Sequence, residues 1–180
     1  MAEIKPFKQV KLICGIIFSE SEIKEMAVAR LAEKFGKPDL KSQDFPFTFT
    51  DYYRPQMGER LFRAFLSFPG LISPEEIAKI KVWTNNLEDE FKNLYRTPPR
   101  PVNLDPGYLT SSALIMATAK DFAHRIPLAM GIYAHLELLF TRKGVKTLEW
   151  TYPDFRQPAY HEFFLQVREV YLKQLRDVFC

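Results

Sequence analysis

The chain is poor in the residues that most often announce a chemistry. It has two cysteines, Cys14 inside an apolar run and Cys180 at the last position, which is too few for a disulfide framework, and no Cys-x-x-Cys pair marks a zinc ribbon. Both are expected as free thiols, which suits a reducing cytoplasm. The only Gly-Lys pair, Gly36-Lys37, is followed by Pro38, and Leu31 stands five residues before Gly36, so there is no P-loop. No Gly-x-Ser-x-Gly elbow and no His-Glu-x-x-His helix appear. The three histidines, His124, His135 and His161, are followed two residues on by Ile126, Glu137 and Phe163, so the paired His-x-Ser/Thr of two-histidine phosphoesterases is missing too.

Long apolar runs are also lacking. The run near the N-terminus is too short to span a bilayer, and Lys8 and Lys11 interrupt it too soon for a signal peptide. A soluble, unprocessed protein with no membrane partner is expected. Charge of one sign is not concentrated either: 25 Lys and Arg are interspersed with 22 Asp and Glu for a net +3, without the basic stripe of a duplex-DNA binder. Single-stranded RNA and protein partners stay open.

What the chain does have is apolar material. Hydrophobic residues make up 47% and phenylalanine occurs 16 times, far from the composition of disorder, and 180 residues suffice for one domain, 1–180, with a real core. Val10 to Phe18 is almost continuously apolar and reads as a central strand. Ser19 with Glu22 has the pattern of a capping box, and Ile23, Ala27, Leu31 and Phe35 recur every four residues up to Gly36. Phe45, Phe47 and Phe49 alternate with Pro46, Thr48 and Thr50, a strand that Pro46 places at an edge or bulge. Leu61 to Phe68 reads as a further strand closed by Pro69-Gly70. Ser73-Pro74-Glu75-Glu76 opens a helix with the stripe Ile77, Ile80, Thr84, Leu87, Phe91 and Leu94. The Pro-rich run Thr97 to Pro101 is an extended connector to a strand at Val102 to Leu104.

The order strand, helix, strand, strand, helix, strand is the βαββαβ pattern of a ferredoxin-like core, and the expected class is α+β. Residues 113–120 have helix-forming composition but strand-like surroundings and are read as strand. Ile132 to Phe140 alternates, with Tyr133, His135 and Glu137 on a face that either lines a pocket or meets water, water being the expectation. Thr141 to Gly144 turns it into a strand over Val145 to Thr151, completing a C-terminal antiparallel β-meander. A final helix opens at Pro158 with the stripe Tyr160, Phe164, Val167, Tyr171, Leu175 and Val178.

The polar-rich stretch Val102 to Arg125 is the candidate site. Asn103, Asp105 and Tyr108 surround one strand, Lys120, Asp121, His124 and Arg125 share a turn, and Asp51, Tyr52 and Tyr53 follow another strand. Lys120, His124 and Arg125 with nearby tyrosines suit a phosphate or carboxylate. His124 is the candidate general acid or base, with Asp105 beside it as a second catalytic candidate. Asp51, Asp105 and Asp121 are possible ligands of a divalent metal. Against these stand plain turn-capping and surface pairing.

The blocks FPFTFTDYY (45–53), VNLDPGYLT (102–110), KDFAHRI (120–126), GIYA (131–134) and WTYPDFR (150–156) resemble, in order and over nearly the whole chain, the bacterial domain-of-unknown-function family 4416. Members are sometimes labelled GTP-binding proteins, which the resemblance carries over as an expectation only; this chain has neither P-loop nor Asn-Lys-x-Asp motif. The reading is a protein that binds a small anionic ligand, a nucleotide or phosphorylated metabolite, in a cleft lined by residues 51–53 and 103–125. Its ligand-binding residues are Asp51, Tyr52, Asn103, Asp105, Tyr108, Lys120, His124 and Arg125. The alternatives are a non-catalytic RNA- or protein-interaction module and a divalent-metal-dependent hydrolase.

Overall fold

A computed structural model of the chain describes residues 3–95 and 98–178. The protein is α+β, built on a large antiparallel sheet of nine strands. In chain order come β1 (Val10–Phe18), α1 (Ser21–Phe35), β2 (Leu40–Lys41), β3 (Phe45–Pro46), the single turn α2 (Arg54–Met57) and β4 (Phe62–Ile72). Next are α3 (Ile77–Leu94), β5 (Val102–Leu109), β6 (Ala113–Thr118), β7 (Ile126–Ala129), β8 (Ile132–Thr141), β9 (Gly144–Thr147) and α4 (Pro158–Val178). Across the sheet the order is β2, β4, β1, β5, β6, β8, β7, with β3 on β4 and β9 on β8.

β1 is buried on both faces, as its apolar run requires. Leu12, Cys14, Ile16 and Phe18 face a core filled by α1 and α3, whereas Ile13 faces a second core filled by Tyr160, Phe163, Phe164, Val167 and Tyr171 of α4. The sheet is therefore the middle of three layers. Burying four large side chains such as Phe65, Phe155, Phe164 and Tyr160 contributes on the order of 2 kcal/mol each, and their rings meet edge-on or stacked at 4.8–5.9 Å.

Several sequence expectations are revised. The Ser19–Glu22 capping box does not form: Phe18 pairs with both neighbouring strands, so the chain is still extended at Glu20 (φ −121°, ψ 131°) and the helix starts at Ser21. The Ser73 box does form, with the Ser73 N–H donating to Glu76 Oε2 at 2.9 Å. Phe45 and Phe47 are buried as the alternation demands, yet only Phe45–Pro46 is strand. Pro69-Gly70 does not end β4. A bulge between Lys11 and Ile13 of the partner strand leaves both residues unpaired, and the ladder resumes at Leu71 and Ile72. Pro106-Gly107 lies inside β5, and residues 113–118 are strand. Of the connector, Thr97 falls outside the described residues. The strand expected over Val145 to Thr151 is only four residues long.

Two departures shape the site. The C-terminal strands do not form a simple meander: β8 pairs with β6, and β7 lies outside it. The segment between β6 and β7 therefore crosses past β8 before turning back through Met130-Gly131, both at positive φ. Second, the face of Tyr133, His135 and Glu137 does not meet water. A bulge in β8 opposite Leu114/Ile115 shifts its alternation by one residue, so that His135 and Glu137 share a buried face with Leu138 and Phe140.

Candidate functional site

β5 and β6 pair only over Gly107 to Leu109 and then part, one residue from a proline that has no N–H to offer either neighbour. Where they part, a cavity of about 750 Å³ opens. Asn103 and Asp105 line one side and Met116 to Lys120 the other; because the gap passes through the sheet, Lys81 and Glu88 of α3 reach the same space from the opposite layer. The segment Phe47 to Tyr53 and residues 152–155 supply an aromatic wall of Phe47, Phe49, Tyr52, Tyr53, Tyr152 and Phe155.

The floor is a buried charge network centred on Arg63 of β4. Its Nη1 donates to Asp154 at 2.5 Å and its Nη2 to Asp105 at 2.7 Å. The guanidinium carbon lies 4.9 Å, 5.3 Å and 5.7 Å from the ring centres of Phe155, Phe65 and Phe47. Gly15 on the neighbouring strand makes room for it: a Cβ there would stand 3.2 Å from Arg63 Nη2. The two carboxylates keep Arg63 charged against the cost of burial, which would otherwise lower its pKa. Asp105 also accepts from Asn103 Nδ2 at 2.8 Å and lies 3.8 Å from Lys81 Nζ, whose hydrogen bond goes to Leu104 O at 2.7 Å. Glu88 accepts from Arg100 at 2.8 Å and from the Leu104 N–H at 2.7 Å, and burial still pushes its carboxyl above the usual range.

A second polar cluster backs the mouth. Arg125 Nε donates to His135 Nδ1 at 3.2 Å, which makes Nδ1 an acceptor and leaves the ring proton on Nε2, 2.8 Å from Glu137 Oε2. That last contact is close but out of line for a well-formed hydrogen bond. Glu137 Oε1 accepts from the Tyr152 N–H at 2.7 Å; burial raises the carboxyl, with His135 opposing the shift. His124 Nε2 approaches the same His135 Nδ1 at 3.1 Å, and His124 is held below the ordinary imidazole range by desolvation, then by His135 and Arg125. His135 stacks on Tyr152 and His124 on Trp150.

Of the residues expected from sequence, Tyr52, Asn103, Asp105 and Lys120 line the cavity. His124 and Arg125 do not line it but grip His135, which does. Tyr108 packs on the core under α1 and α3. Asp51 is exposed and paired with Arg54 at 2.9 Å, and Asp121 is exposed. Asp51, Asp105 and Asp121 therefore share no site, and among the described residues no group of three His, Cys, Asp or Glu stands together to hold a metal ion. Sequence reasoning missed Arg63, Lys81, Glu88, Arg100 and Asp154, and it set His135 and Glu137 on a strand face for which water was favoured over a pocket. The signal for Arg63 was a lone cation inside an otherwise apolar strand, FRAFLSF; for His135 and Glu137 no sequence signal revealed the bulge.

An α+β protein with a cavity of this size opening where two sheet strands part is the class that fold and geometry define. The sequence matches the family described as a domain of unknown function (DUF4416) over residues 8–171, and the chain belongs to it. No curated protein and no solved structure matches the chain. Among the described residues no helix is long and apolar enough to cross a membrane.

Proposed function

We propose that the protein binds a small anionic molecule, a nucleotide or phosphorylated metabolite, in the cavity between β5 and β6. What supports this most is the cavity itself: about 750 Å³ falls within the roughly 300–1,000 Å³ usual for small-ligand sites. Its aromatic wall suits a planar ring. Its inner cations are already paired, but Lys120 at the mouth lies over the Tyr52 ring at 4.0 Å and, among the described residues, has no carboxylate partner. That ammonium is the group free to meet a phosphate, while Asp105, still open to the cavity, accepts from ligand hydroxyl or amine groups.

The surrounding core is proposed to be ferredoxin-like. The strand order β2 with β3, β4, β1, β5, with α1 and α3 in the connections, suits the βαββαβ plan. A bacterial cytoplasm is proposed as its setting, in keeping with the free, buried Cys14.

The test is a thermal-shift screen of nucleotides and sugar phosphates against the wild type, Tyr52→Ala and Lys120→Ala, both of which alter exposed side chains. A ligand at about 100 times its Kd stabilises by roughly 2.7 kcal/mol, equivalent to about 5–11 °C in a protein of this size. The expected result is such a rise in the wild type that shrinks in both variants. No rise with any compound, or a rise unchanged in both variants, refutes the proposal.

A further inference from the structure

Among the described residues, half of the large apolar side chains that stand exposed gather at the β8 end of the sheet: Phe122 (63%), Ile126 (66%), Leu128 (45%), Met130 (56%) and Trp150 (38%). Phe122 and Trp150 flank the His124 ring at 5.2 Å and 5.1 Å, and Ile126, Leu128 and Met130 follow along β7 and its turn. Taking ~200 Å² for each side chain when fully exposed, these five leave roughly 500 Å² of apolar surface open, at the upper end of what a monomer tolerates in one patch.

A second observation is independent of area. Met130 sits in the turn between β7 and β8 at φ 59°, the one non-glycine residue in the left-handed region among the described residues. Glycine, asparagine and aspartate are the residues that ease such a position. A long apolar side chain there is poorly accounted for by the turn and is well placed to reach another surface.

We propose that this face is the contact of a two-fold homodimer. The occupant is argued from charge, area and edge geometry. Ile126 to Ala134 contains no charged residue in a chain that is 26% charged, so nothing on the strand selects a charged partner, and two copies of the uncharged surface suit each other. About 500 Å² from each copy, with the rim atoms around it, approaches the ~1,200 Å² of the smaller stable interfaces. Open-ended strand addition is disfavoured: β7 is the sheet's edge, but Pro127 removes a donor and a bulge between Pro127 and Ala129 breaks the register. The contact is therefore made by side chains, and its two-fold symmetry closes it after two copies.

The experiment is sedimentation equilibrium of the full chain across the micromolar range, alongside Ile126→Glu and Leu128→Lys, with circular dichroism and melting temperature to check folding. The expected result is a wild-type mass twice the 21.1 kDa of one chain, with each folded variant at least tenfold weaker in self-association. A wild type that stays monomeric, or a dimer that both folded variants retain, overturns it. So does a monomer that floats with phosphatidylglycerol–phosphatidylethanolamine vesicles, which would make the same face a lipid-contacting one.

Discussion

Replacing Arg63 by methionine is the sharpest test of how the cavity floor is held together. The guanidinium is 6% exposed and sits between Asp154, 5% exposed, and Asp105, 24% exposed. Asp105 keeps Asn103 and Lys81 when Arg63 is removed, but Asp154 loses the one side-chain partner it has among the described residues. The penalty is the desolvated, unpaired carboxylate, and breaking a buried pair in this way costs about 3–5 kcal/mol. In a chain of this length that corresponds to a melting temperature roughly 6–20 °C lower. The methionine fills much of the volume, so cavity formation contributes little. Adding Asp154→Asn to Arg63→Met removes the orphaned charge and is expected to restore at least half of the loss. Urea denaturation of the wild type and both variants measures the loss and its recovery. A cost for Arg63→Met below about 1 kcal/mol, or a double variant no more stable than the single one, would show that solvent reaches Asp154 and that the network is not the buried hub described above.

Three further variants test packing and pH dependence. A Cβ on Gly107 would stand 2.5 Å from Ile115 O and 2.6 Å from Met116 Sδ, so Gly107→Ala should destabilise by about 1–3 kcal/mol. Gly70→Ala, where nothing lies within 4 Å, should change stability by less than about 0.5 kcal/mol in the same denaturation assay. Burial raises the folded-state pKa of Glu137, so its contribution is fully present below the unfolded carboxylate value of about 4.3 and is lost as pH rises through the higher folded value. Glu137→Gln should therefore flatten the fall in stability above about pH 4.3, and an unchanged pH profile would contradict that assignment.

Much of the architecture was legible because it rests on local periodicity. Val10–Phe18 and the start of the last helix at Pro158 coincide with their observed ends, and Gly36 stops α1 where expected, at φ 86° and with its N–H bonded to Ala32 O at 2.9 Å. The aromatic alternation at 45–49 correctly marked Phe45 and Phe47 as buried, because burial follows side-chain direction even where the regular ladder is only two residues long. Helices and strands of this kind are written in which side of the chain is apolar, and that information is local.

The site was only half legible, for a physical reason that recurs at each miss. Tyr52, Asn103, Asp105 and Lys120 could be nominated one at a time from residue type, but their meeting depends on β5 and β6 parting after three residue pairs. His135 and Glu137 read as solvent-facing because strict alternation assumes an unbroken ladder, and a single extra residue in β8 reverses the face. The crossing of residues 119–125 past β8, which brings His124 and Arg125 onto His135, follows from β7 pairing on the far side of β8. Arg63 and Asp154 are 91 residues apart and become partners only once the sheet is assembled. The sequence by itself thus determined the α+β class, the central strand and the helices, whose causes lie within a few residues. Tertiary structure alone decided strand partners, bulges and the buried charge pairs, because those depend on which surfaces exclude water from one another.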